Sequence, residues 1–274
     1  MTTVTKADGT REEFKPNKLK SSLRRAGASN QEIAEIVNHI ETEIHDGIKT
    51  QAIYRHAFEL LRQSDSPIAA RYSLRRALFG LGPSGFPFED FLARLFKAHG
   101  YDTKTRLTLE GNCAEHELDV GAWSVDHSMV VEAKFHARPG IKSDLQVAMY
   151  CYARYLDLKK QKVCSADTCG IDDFFLITNT KFTKTAIKYG ECVGLKLLAW
   201  DYPRQGNLHD LIKEANIYPI TVLSSLSQKH RKILLDRDII VCNDLLKNPG
   251  ILRHLHISKR KTEAVLSEAR QLCK

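Results

Sequence analysis

No stretch of the sequence approaches the roughly 18 consecutive apolar residues that would cross a bilayer. The opening residues MTTVTKADGTREEF contain no apolar signal core either. Both absences argue against a membrane or exported protein, so a cytoplasmic one is expected. CxxC pairs are missing as well. The seven cysteines (Cys113, Cys151, Cys164, Cys169, Cys192, Cys242 and Cys273) are odd in number and scattered. Free thiols in a reducing compartment are expected rather than a disulfide framework. Cys164 and Cys169 could join distant histidines around zinc, though their spacing suits zinc poorly. There is no G-x-S-x-G nucleophile elbow and no Walker-type phosphate loop. The usual sequence signs of serine hydrolysis and of nucleotide hydrolysis are therefore absent. Low-complexity tracts and internal repeats are also lacking.

What is present divides into three. FGLGPSGFPF (79–88) and AWDYPRQGNLHD followed by NIYPIT interrupt the helical patterns with glycine and proline. The expected units are residues 1–83, 84–218 and 219–274. The net charge of +8 is spread unevenly: the first unit has 13 basic against 10 acidic residues, the second 17 against 18, and the third 11 against 5. A small domain with such a basic excess either faces a polyanion or carries a solvated basic face.

In the first unit, Asp8-Gly9 signals a hairpin between short strands. Four helical patterns follow: KPNKLKSSLRRAG, NQEIAEIVNHIETEIHDG, TQAIYRHAFELLRQ and SPIAARYSLRRALFG. Ile33, Ile36, Val37 and Ile40 recur at helical spacing. Gly27 and Gly47 fit helix C-caps, and Ser66 and Pro67 fit an N-cap and first helical position. Lys6, Lys15 and Lys18 could converge on an anion at the start of the first helix, or could form an ordinary lysine-rich surface. The pieces V-x-K-x-DG-x-x-E-x-F (Val4 to Phe14), KL-x-x-SL-x-x-A (Lys18 to Ala26), DGIKT (Asp46 to Thr50) and AAR (Ala69 to Arg71) resemble the ATP-cone, a nucleotide-binding regulatory domain. The resemblance implies ATP or dATP as a regulatory ligand near Val4, Lys6, Glu12, Lys15, Lys18, Thr50 and Tyr54. It also implies a homo-oligomer, dimer or tetramer, formed through the cone. The family often has a second basic residue where this chain has Ala7, and a histidine where it has Tyr54.

The second unit opens on an amphipathic helix with Phe88, Phe91, Leu92, Leu95 and Phe96 along one stripe and Glu89 beside it. After a strand-like RLTLEG comes EHELDVGAWSVDHSMVVEAKF, which reads as a hairpin turning at Asp126-His127-Ser128. A turn centred near 125–127 places Asp119 opposite Glu132 or Lys134, and the last two share a strand face. Two adjacent carboxylates repel unless a cation bridges them. Mg²⁺, or Mn²⁺, suits such oxygens. Glu117 lies on the same strand face as Asp119. His116, His127 and His136 flank the cluster without a metal-binding spacing. Next come a helix over SDLQVAMYCYARYLDL with Ser143 as N-cap and Gln146 and Tyr150 on one face, a strand FFLITN, a helix KFTKTAIKYGECVG and a strand LKLLAW. A right-handed crossover in a mixed sheet follows from that order.

FE-x-F-x-x-x-LF (Phe88 to Phe96), E-x-D (Glu117 to Asp119), EAK (Glu132 to Lys134), Q-x-x-x-Y (Gln146 to Tyr150) and IT-x-x-x-FT-x-x-A (Ile177 to Ala186) resemble, in that order, the PD-(D/E)xK nuclease superfamily and its Mrr-like restriction endonuclease branch. The resemblance implies Asp119 and Glu132 as metal ligands and Lys134 as the catalytic lysine. It adds Gln146, supported by Tyr150, and Glu89 to the active site. A structural salt bridge in an inactivated fold is the plainer alternative.

The third unit reads as short helices. The stretch from Leu255 onward resembles half of a helix-hairpin-helix motif, with Lys259, Arg260 and Lys261 implied as DNA contacts and His256 where the hairpin glycine usually stands. A helical protein-interaction module is the alternative. Taken together, the expected fold is α/β overall: a helical ATP-cone with a small N-terminal hairpin, a restriction-endonuclease-like mixed sheet flanked by helices, and a small all-α C-terminal domain. The expected function is a Mg²⁺-dependent endonuclease acting on DNA under nucleotide control, a design that suits defence against foreign DNA. A non-catalytic nucleotide-responsive DNA-binding regulator, or a nuclease acting on RNA, stands beside it.

Overall fold

The computed structural model describes residues 2–164 and 170–273, and it is a mixed α/β structure. The chain begins with β1 (Thr3–Thr5), β2 (Arg11–Glu13), α1 (Pro16–Ala26), α2 (Asn30–Glu43), β3 (Ile48–Lys49), α3 (Thr50–Ser64) and α4 (Ser66–Phe79). Gly9 turns β1 into β2 with φ 83°. The N-terminal hairpin gains a third strand, because β3 runs parallel to β1 in the order β2-β1-β3. Two bonds seat that return: Gly47 N–H donates to the Thr3 carbonyl at 2.9 Å, and Asp46 Oδ1 accepts from Thr3 N–H at 2.9 Å. Gly47 is thus a turn residue and not a helix C-cap, since α2 ends at Glu43 with Ile44 as its cap; Gly27 does cap α1, in the left-handed region. Helix α4 is capped by Asp65 and not by Ser66 as expected: the Asp65 carboxylate accepts from Ile68 N–H, and Ser66 and Pro67 fill the first two helical positions.

The second unit contains α5 (Phe86–Ala98), β4 (Asp102–Glu110), β5 (Glu115–Trp123), β6 (Ser128–Lys134), β7 (Lys142–Ser143), α6 (Leu145–Leu158), β8 (Asp173–Thr178), β9 (Lys181–Phe182), α7 (Lys184–Val193), β10 (Lys196–Leu198) and α8 (Leu208–Ala215). The main sheet has the order β10-β8-β6-β5-β4, with β4, β5 and β6 antiparallel and β6, β8 and β10 parallel. On one face α5 buries Phe88, Phe91, Leu92, Leu95 and Phe96 against Val120, Met129 and Val131. Each such side chain contributes about 1.5–3 kcal/mol by leaving water. Helices α6 and α7 cover the other face over Val130, Phe174 and Leu176. Two expected boundaries shift here. Ser143 is buried in β7, and Asp144 caps α6 by accepting from Val147 N–H at 3.2 Å. Lys181-Phe182 forms β9 beside β7, so α7 starts only after its cap, Thr183.

The remaining helices, α9 (Gln228–Leu235), α10 (Cys242–Lys247) and α11 (Lys259–Leu272), share one core with α4, α5, α8 and the near face of the sheet. Arg94 of α5 pairs with Asp238 and Asp244 at 2.8 Å each. Thr221 Oγ1 donates to the Ala77 carbonyl at 2.6 Å. Helix α4 therefore serves two cores, with Ile68, Ala69 and Tyr72 facing the N-terminal unit and Ala70, Leu74 and Leu78 facing the other. The joint after it passes so close to the sheet that a Cβ on Gly82 would stand 2.6 Å from the Phe135 ring, which only glycine avoids.

Cys113, Cys151, Cys192, Cys242 and Cys273 are free thiols, as expected. Cys164 is disulfide-bonded, which corrects that expectation at this position. The zinc reading also needs Cys169, which lies outside the described residues. No helix among the described residues is long and apolar enough to cross a membrane.

Candidate functional site

Strands β5 and β6 are paired from Trp123↔Ser128 to Val120↔Val131 and then part. Extending that register by one residue sets Asp119 across from Glu132 and leaves Lys134 two residues beyond on the same face. Instead of a further ladder bond, Ala133 N–H donates to Asp119 Oδ2 at 2.5 Å. That bond turns the carboxylate into the gap where the strands diverge. Burial raises the Asp119 carboxyl above the ordinary value of 3.8. Burial first and the Asp119 charge second push Glu132 up to about 7, against the pull of Arg154 and Lys134. Glu89, in the first turn of α5, is buried and is likewise pushed up to about 7, by burial and then by Asp119. Three acids thus sense one another, with too little positive charge to hold all of them ionised.

The compensating cation that the sequence reading missed is Arg154. It is buried on α6, donates to Glu132 Oε2 at 2.5 Å, and donates also to the Glu117 carbonyl. Its signal was present: Gln146, Tyr150 and Arg154 stand four residues apart along one helix face. Of these, Arg154 meets the carboxylates, while Gln146 and Tyr150 are exposed and the Tyr150 ring lies 5.6 Å from the guanidinium. Arg106 is a second missed cation; it pairs with Glu89 at 3.5 Å and Asp90 at 2.9 Å. Lys134 is exposed at the end of β6.

The donor set fits a hard divalent cation. Asp119 and Glu132 each present one oxygen outside the bonds above, and carboxylate oxygens are what Mg²⁺ and Mn²⁺ take. Such an ion would also relieve the repulsion that raises both groups. The flanking histidines serve other ends: His116 pairs with Asp157 at 2.8 Å, His127 with Asp173 at 3.2 Å, and His136 meets Ser143 Oγ at 3.0 Å.

A separate cavity of about 1030 Å³ opens between α1, α4 and the strand end of the sheet unit. Lys15, Lys18 and Tyr54 of the expected nucleotide residues line it, joined by Lys20, Arg25 and Arg75. Arg75 Nε is buried with no hydrogen-bond partner, and burial lowers the guanidinium's pKa. An anion in the cavity would satisfy both. Lys6 and Lys18 do converge, but on Glu12, at 2.7 and 2.8 Å. Val4 is core, and Thr50 begins α3, so neither lines the cavity. Tyr54 stacks on Tyr72 at 5.0 Å, and burial pushes its hydroxyl up to about 12. Trp200, Asp201 and His209 close the cavity from the sheet unit.

At the C-terminal end, Ser258 caps α11 by accepting from Lys261 N–H at 3.3 Å. Lys259 and Arg260 are exposed there and Lys261 is half-buried. His256 adopts φ 50°, the left-handed conformation that a hairpin glycine would supply.

Residues 2–78 match the ATP cone domain family, so the chain has an ATP cone domain at its N-terminus. Residues 218–273 match the C-terminal domain of the AF1548-like family. An uncharacterized protein of Archaeoglobus fulgidus is 35% identical over 182 residues, covering 66% of this chain and 99% of that one. The crystal structure of the protein of unknown function AF1548 aligns with a TM-score of 0.55 at 33% identity, over 69% of this chain and 98% of that one. The chain belongs to the AF1548-like family and carries an ATP cone.

Proposed function

We propose that the chain is a metal-dependent endonuclease whose attack on DNA phosphodiesters is governed by ATP or dATP in the cone cavity. One observation carries this reading: Asp119 and Glu132 face each other where β5 and β6 part, with Lys134 on the same strand as Glu132. The order of pieces over residues 88–186 that resembles the PD-(D/E)xK superfamily supports it. Mg²⁺ or Mn²⁺ held by Asp119 and Glu132 supplies Lewis acidity and an acidified water when bound. Lys134 brings a positive charge to the open end of β6, where it stabilises negative charge developing on a phosphoryl oxygen. Arg154 fixes the Glu132 carboxylate through Oε2 and leaves Oε1 free of that bond. Water adds to phosphorus as one ester P–O bond breaks, and the leaving oxygen takes a proton. DNA is preferred to RNA on the resemblance alone. Lys259, Arg260 and Lys261 add sequence-independent attraction to the phosphate backbone. A second copy of the chain, docked through the cone, is the partner through which nucleotide sets the oligomeric state.

One observation favours a second reading. The Arg154–Glu132 pair already neutralises a carboxylate, as it would in a non-catalytic, nucleotide-responsive DNA-binding regulator built on the same scaffold. Cleavage of supercoiled plasmid with Mg²⁺ separates the two. The nuclease reading expects activity that Asp119→Asn and Lys134→Ala each reduce by about 100-fold or more. Identical rates with and without saturating ATP or dATP would sink the regulatory half alone. DNA binding without cleavage under every metal would favour the regulator.

A further inference from the structure

We propose that His39, Glu43 and His56 form a binding site for a divalent transition metal, zinc foremost, that clamps α2 to α3. His39 and Glu43 lie one turn apart at the end of α2, which puts them on one face. His56 reaches the same carboxylate from α3. Glu43 Oε1 is 3.3 Å from His39 Nε2, and Glu43 Oε2 is 2.9 Å from His56 Nδ1. The two rings meet edge to face with centroids 5.0 Å apart. One ligand atom from each residue can be chosen so that all three lie within 4.8 Å of one another, the only such trio of His, Cys, Asp or Glu among the described residues.

The three ligand atoms stand close enough for side-chain rotation to bring them to zinc distances. With bonds of about 2.0–2.1 Å at tetrahedral angles, two ligand atoms stand roughly 3.3 Å apart. The His39–Glu43 distance already equals that edge, and the remaining closure falls to side chains that are about half exposed, at 48% and 52% for His39 and Glu43. Two imidazoles and one carboxylate select zinc, nickel or copper over magnesium and calcium, which prefer all-oxygen shells. Glu43 and His56 also line a cavity of about 300 Å³ together with His45 and Glu59, and water can complete the shell from there. The clamp would hold together the two helices joined by the turn through Asp46 and Gly47, and so fix β3 and Thr50. Nothing in the proposal depends on catalysis at Asp119 and Glu132.

Untagged full-length protein, stripped with chelator, is titrated with Zn²⁺ by calorimetry and with Co²⁺ by visible absorption. The proposal expects one more Zn²⁺ per chain than the His39→Ala/His56→Ala double variant binds. It also expects a Co²⁺ band that the double variant lacks, and affinity reduced at least about tenfold by Glu43→Gln. Zn²⁺ should raise the melting temperature of the parent and leave that of the double variant unchanged, while excess Mg²⁺ displaces nothing. The metal-free circular dichroism of each variant checks that it has folded. Equal stoichiometry and affinity in the parent and the folded double variant would overturn the site.

Discussion

Glu132 stands between opposing neighbours, Asp119 on one side and Arg154 and Lys134 on the other. An acid raised from 4.5 to about 7 binds its proton more tightly when folded than when unfolded. Its stability contribution is therefore complete below 4.5 and is lost as pH rises through about 7. Glu89 behaves alike. Without metal, these two groups should weaken the fold across that window. Mg²⁺ competes with the same protons, so calorimetry should find it bound more tightly near pH ~8 than near pH ~6, by up to about tenfold per proton and pH unit. Equal affinities would remove Glu132 from the metal site. Removing the counter-cation by Arg154→Met should cost about 3–5 kcal/mol in metal-free urea unfolding, as buried charges lose their partner, and Mg²⁺ should return part of it. Legibility at this scale followed the reach of each argument. Counting from the hairpin turn placed Asp119 opposite Glu132 or Lys134, because strand register is local, and only the ladder itself selects Glu132. Arg154 went unread because its choice of Glu132 depends on how α6 crosses the sheet.

At the scale of elements, α1 and α4 build the cone cavity by aiming basic residues at each other: Lys15, Lys18 and Arg25 from the start and face of α1, Arg71 and Arg75 from α4. Arg75→Met should weaken ATP or dATP binding about tenfold or more, through loss of a charge that has no partner on Nε. Lys18→Met should weaken it less, since Glu12 already holds that ammonium. Calorimetry on the full chain decides the order, and a larger loss at Lys18 would contradict it. The helices themselves were legible from apolar spacing, yet of the caps only Gly27 was, and small elements were not. Ser143 and Asp144 are both able caps, and only the pairing of Lys142-Ser143 with Lys181-Phe182 decides between them. A two-residue strand has no periodicity to read. The third cone strand, β3, is hidden for the same reason.

The whole molecule is joined more closely than its linkers suggest. The C-terminal helices share the sheet's core, α4 serves two cores, and the cone cavity is closed by Trp200 from the sheet unit. Glycine and proline marked where the chain changes direction, but they carry no information on which surfaces meet afterwards. Nucleotide binding should therefore reach the sheet unit directly. In a Trp123→Phe variant, ATP or dATP should change the emission of Trp200; an unaltered spectrum at saturation would confine the nucleotide to the cone.

The measurement that bears most directly on the central claim is nicking of supercoiled plasmid by the full chain in Mg²⁺, beside Glu132→Ala, with and without ATP. The account predicts metal-dependent nicking that the variant loses by about 100-fold or more and that ATP alters in the parent. Metal-dependent nicking retained in Glu132→Ala, or no nicking by the parent under any divalent metal and nucleotide, would contradict it.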